Sequence, residues 1–109
     1  MPIKDGLEWK PGEGGKAYRV DPLILGYDTI ALIEHALDQL KARGITLQDV
    51  ETTLRNPDAS IPTAMPDRER FRWNKTARVA IDVVFERHPS CLLVVTAIKI
   101  ERRLVRRRP

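Results

Sequence analysis

The chain has 109 residues, 42% of them hydrophobic and 31% charged, with one cysteine and a formal charge of +4. That length is one compact domain with a core of its own, with no room for a second. The lone Cys91 excludes a disulfide framework and a cysteine-rich zinc site, and no apolar run approaches the roughly 18 residues of a membrane span.

Residues 1–22 are punctuated by Pro2, Gly6, Pro11, Gly12, Gly14, Gly15 and Pro22, which predicts an irregular arm. Leu7, Trp9, Tyr18 and Val20 are its candidate pins, and Ala17 to Val20 a short edge strand. The start, Met1 to Gly6, lacks the apolar core of a signal peptide, so a cytoplasmic protein is expected, with delivery into a target cell by a leaderless route left open. Gly12-Glu13-Gly14-Gly15-Lys16 lacks the spacing of a phosphate loop and no apolar strand precedes it.

From Asp28 the pattern turns helical: Asp28 as N-cap, Ile30, Ile33, Leu37 and Leu40 at helical spacing, and Arg43-Gly44 as a basic last turn with a glycine stop. A second helix follows, with Thr46 and Asp49 in a capping box, Leu47, Val50 and Leu54 on the apolar face, and Asn56-Pro57 as its end. Strands are predicted at Ala59 to Thr63, where Pro62 confines the segment to an edge, at Arg70 to Asn74, at Arg78 to Glu86 and at Cys91 to Ile100. The predicted fold is α+β: two N-terminal helices, a helical hairpin, packed on one face of a three- to four-stranded antiparallel sheet. The domain spans 23–101, between the arm at 1–22 and a basic tail at 102–109.

Charge is uneven along the chain. Residues 99–109 hold six basic residues against Glu101, a local +5, which leaves −1 for the remaining 98. Such a tail suits phosphate, and equally suits a solvated end. Alternation across the second strand places Phe71 and Trp73 on one face and Arg70, Arg72 and Asn74 on the other, with Arg78 and Asp82 of the next strand extending the second face. A row of guanidinium groups there fits phosphate by bidentate bonding, and equally fits a solvated face laced with ion pairs. His35 lies almost opposite the apolar stripe of its helix, which makes it a surface residue or part of a site built with another segment. His88 reads as a turn residue, and no spacing of His, Cys or carboxylates forms a metal motif. No cofactor is expected.

The run Ile33 to Val50, continuing to Leu54-Arg55-Asn56-Pro57, combines the pair His35-Ala36, the junction Arg43-Gly44-Ile45-Thr46, the pair Asp49-Val50 and the closing Asn56-Pro57. Together with Val94-Val95-Thr96 this resembles the bacterial domain of unknown function 4258 family over roughly residues 30–100. That family in turn resembles the RelE-type and colicin-type ribonuclease toxins, whose two N-terminal helices pack on an antiparallel sheet. The resemblance implies a small RelE-like toxin that cuts RNA without metal. Its partners would be RNA, either tRNA or mRNA, ribosome-associated or not, and an antitoxin or immunity protein, with no membrane involved. In that reading His35 is the acid or base, Arg72 and Arg78 hold the scissile phosphate, and Thr96 orients it. Arg43, Arg70, Lys75, Arg102, Arg103, Arg106 and Arg107 would add RNA contacts. The alternative is a noncatalytic RNA- or protein-binding module, for example a phage or mobile-element factor, using the same basic face.

Overall fold

The computed structural model describes residues 14–102, so the expectations for Leu7, Trp9, Arg103, Arg106 and Arg107 lie outside the described residues. In chain order the elements are β1 (Lys16–Ile24), β2 (Tyr27–Leu32), α1 (Glu34–Arg43), α2 (Leu47–Arg55), β3 (Ala59–Ile61), β4 (Glu69–Asn74), β5 (Val79–Arg87) and β6 (Leu92–Glu101). All six strands form one sheet in the order β1-β2-β6-β5-β4-β3, and β2 runs parallel to β6 while the other neighbours are antiparallel.

This corrects the predicted fold of two N-terminal helices on a three- to four-stranded antiparallel sheet. Two strands precede the helices, and the sheet is mixed. The cause is local. Thr29, Ile30, Ala31 and Leu32 are all buried, so successive side chains are covered on both sides. That condition belongs to a strand inside a sheet, not to one stripe of a helix. Ile30 and Ile33 coincide with the helical spacing of Leu37 and Leu40, yet the helix begins only at Glu34, and its N-cap Ile33 is extended with no side-chain cap. Asp28 does not cap a helix; it pairs with Arg19 across the β1–β2 hairpin at 2.8 Å. The segment expected to be an irregular arm up to residue 22 contains β1, whose Ala17 to Arg19 pair with β2. The turn between the two strands holds Leu25 and Gly26 at φ 53° and 86°; Gly26 takes the left-handed region freely, whereas Leu25 does so against the usual preference of a side-chain-bearing residue.

The helix ends follow their sequence signals. Gly44 terminates α1 at φ 66°, the left-handed C-cap position. Thr46 accepts a bond from the Asp49 backbone N–H, while the Asp49 carboxylate accepts one from the Thr46 N–H, closing the capping box. Both helices pack on one sheet face: Ala36, Leu40, Val50 and Leu54 join Ile30, Leu32, Ile81, Val83, Phe85, Leu92 and Val94 in the main core. The opposite face carries a smaller buried cluster of Ala31, Val84, Cys91, Leu93 and Val95. A central β6, buried on both sides between β2 and β5, is what the unbroken apolar run from Cys91 requires. No described helix is long and apolar enough to cross a membrane.

Candidate nucleic-acid interface

Strand alternation and register fix what stands on the face away from the helices. Phe71 and Trp73 of β4 pack toward the helices, so Arg70, Arg72 and Asn74 occupy the other face. Across the sheet these three lie beside Val84, Asp82 and Ala80 of β5, which in turn lie beside Thr96, Ile98 and Ile100 of β6. Three cross-strand rows result: Arg70–Val84–Thr96, Arg72–Asp82–Ile98 and Asn74–Ala80–Ile100. Beyond them Arg78 and Arg102 meet at the end of the strand pair, where the Arg102 N–H donates to the Arg78 carbonyl at 2.6 Å.

Asp82 organises this surface. Its side chain has no solvent exposure, and it accepts hydrogen bonds from Arg70 Nε at 2.7 Å, Arg72 Nε at 2.7 Å and Arg72 Nη2 at 2.9 Å. Burial alone would push the carboxyl pKa up, but the bonds from Arg72 and Arg70, with their charges, outweigh it and hold it below its ordinary value. The same hydrogen bond raises the pKa of Arg72 against the desolvation that opposes it. Two guanidinium groups on one carboxylate leave a net positive charge, and both remain about a quarter exposed, at 28% and 27%. Arg102 extends the line by donating from Nη2 to Asn74 Oδ1 at 2.8 Å. Arg78, Asn74 and Arg102 are exposed.

The remaining basic residues divide by whether an acid neutralises them. Arg19, Arg55, Arg68 and Arg87 pair with Asp28, Glu51, Glu86 and Glu69 respectively. Lys75 pairs with Asp49, and Lys99 with Glu101. Arg68 lowers the pKa of Glu86, with His88 adding a second bond against the opposing effect of burial. Arg43 donates weakly to the Ala97 carbonyl at 3.5 Å, a contact on the helix side. Ala42, Arg43, Lys99 and Glu101 line a shallow cleft of about 370 Å³; Arg78, Val79, Glu101 and Arg102 line one of about 440 Å³ beside it.

The residues expected to form a catalytic site are therefore only partly brought together. Arg70, Arg72, Arg78, Arg102 and Thr96 share the open face. His35 is exposed in the first turn of α1, and Ala36 beside it packs into the core on the other side of the sheet. Arg43 and Lys75 also lie away from the arginine row, with Lys75 spent on the α2 capping carboxylate. Sequence alternation marks Asp82 only as a partner for part of the row; its complete burial under two arginines follows from the register with Arg72, which sequence spacing does not fix. Among the described residues no group of three or more His, Cys, Asp or Glu side chains is placed to hold a metal ion.

Searches of the curated proteins and of the solved structures find no match to the chain. The profile of the family described as Domain of unknown function (DUF4258) matches residues 32–99, from the end of β2 to Lys99 of β6 and including α1, α2, Arg70, Arg72 and Arg78 but not Arg102. The chain belongs to that family.

Proposed function

We propose that the protein is a noncatalytic RNA-binding module that holds phosphate groups on the open face of its sheet. The observation that carries this reading is the arginine line itself: Arg70 and Arg72 share the buried carboxylate of Asp82, and Arg102, bonded to Asn74, and Arg78 continue the line beyond it. A solvated face would interleave exposed acids with these bases, as the pairs elsewhere in this molecule do. Here Asp82 orients two guanidinium groups, Glu86 is taken by Arg68 at one end, Glu101 pairs with Lys99 at the other, and Arg78 and Arg102 add their charges, so the line stays positive. The family's resemblance to RNA-directed toxins favours RNA as the polyanion.

Catalysis is not part of the proposal. Metal-free cleavage needs a proton carrier within hydrogen-bond reach of the phosphate that the arginines hold. His35 stands on the helix side of the sheet, and His88 is bound to Glu86, the carboxylate that Arg68 also holds, past the Arg70 end of the row. The test is incubation of the purified full chain with labelled RNA, read in parallel by retardation and by length of the RNA. Retardation of intact RNA, weakened in an Arg78→Ala and Arg102→Ala double variant, is the expected result. Shortened RNA that His35→Ala abolishes would replace this proposal with a ribonuclease toxin; absence of binding would remove both.

A further inference from the structure

The open face also constrains which form of RNA fits, an inference that rests on the RNA-binding reading above. We infer that the site takes a single strand, extended along β5 with its phosphates on the arginine line and its bases over β6. Three features carry it. Same-face residues on a strand are about 6.8 Å apart, twice the rise per residue, which is comparable with the phosphate-to-phosphate step of an extended nucleotide chain. Arg70, Arg72 and Arg102 lean over the β5 column, where Asp82 and Ala80 lie fully buried beneath them, so the charges form one line and not a broad field. Flanking that line on β6 are Ile98 and Ile100, both half-buried, with the Thr96 side chain at the end of the same column.

An apolar lane beside a cationic line suits unstacked bases, which expose their faces, and gives nothing to a duplex, whose bases are sealed within it. A duplex would meet the arginines with one backbone only. The described aromatic side chains Tyr18, Tyr27, Phe71, Trp73 and Phe85 all belong to the core on the helix side. Base contact therefore rests on isoleucine and on guanidinium planes, and the site discriminates little among sequences. The line spans three to four phosphates at roughly one per same-face position, so the salt slope contributed by this face is about −2 to −3 in log affinity against log salt.

The test compares a fluorescein-labelled oligouridine 12-mer with a 12-base-pair RNA duplex by anisotropy, using the full chain over a range of salt. A second readout is photocrosslinking of 4-thiouridine in the single strand, which needs no variant to fold. The inference expects at least tenfold tighter binding of the single strand, crosslinks at residues 96–102, and a three- to tenfold loss of affinity for Ile100→Ala, measured well below the melting temperature of that variant. Equal or tighter binding of the duplex, or crosslinks confined to α1 and α2, overturns the single-strand inference and leaves RNA binding standing. Binding of neither probe overturns the RNA-binding reading itself.

Discussion

Asp82 is the residue on which the open face depends, because a fully buried carboxylate is tolerated only when its charge is matched and its lone pairs are used. Arg70 and Arg72 supply both conditions, and Asp82 in return fixes their orientation. Asp82→Ala is expected to cost about 3 kcal/mol, at the low end for breaking a buried pair since the guanidinium groups keep some access to water. Chemical denaturation measures this, and the variant should also bind RNA more weakly as its arginines lose their alignment. The sign of the pH dependence follows from the carboxyl pKa being lowered in the fold. Its stabilisation is present above the ordinary carboxylate value of 3.8 and is lost as the pH falls through the lower native value. Melting temperature should therefore drop more steeply between about pH 5 and pH 2 in the natural chain than in Asp82→Ala. Alternation along β4 makes the arginine row legible from sequence. The burial of Asp82 is not legible there, because burial is set by which strand lies opposite and in what register.

At the level of elements, the signals that survive are those written in backbone chemistry. Gly44 at its left-handed C-cap, the Thr46–Asp49 box, the Asn56-Pro57 stop and the alternation of β4 and β5 each act through neighbouring residues, so the chain order alone reveals them. Thr46→Ala should destabilise the fold by about 1 kcal/mol, the ordinary worth of an N-cap side chain. Leu54→Ala, at a site with no exposure beneath α2, should cost about 2 to 5 kcal/mol, since the sheet below cannot close the cavity fully. Equilibrium unfolding in urea checks both, and a cost near zero for Leu54→Ala would contradict the packing of α2 on β5. At Ile30 to Ile33 a four-residue apolar run matches helix and strand spacing equally, which is why the sequence suggests a helix there. Its pairing with β6, more than 60 residues later in the chain, decides between them, and nothing within the run points to that partner.

Across the whole molecule, basic charge that lacks an acid gathers at one end. Of the described cations, Lys16, Lys41, Arg43, Arg78 and Arg102 have no carboxylate in ion-pair contact, and the last three belong to the region where β6 leaves the sheet. The sequence then continues directly into Arg103, Arg106, Arg107 and Arg108 with no acidic residue among them. Charge summed over the chain, +4, conceals this separation, because the acids neutralise the bases nearly everywhere else. In sequence, therefore, four further arginines follow within six residues of Arg102. Deleting residues 103–109 should weaken RNA binding at low salt and flatten its salt dependence by up to about 0.7 of slope for each phosphate the tail no longer neutralises, since such a phosphate keeps its counterions. Melting temperature, read alongside, separates lost RNA contact from a lost contribution to the fold. The Arg78→Ala and Arg102→Ala double variant should reduce the slope further when combined with the deletion, the two effects adding because they remove different phosphates. A deletion that leaves the slope as it was would confine RNA contact to the sheet; a deletion that abolishes binding altogether would move the site from the arginine row to the tail.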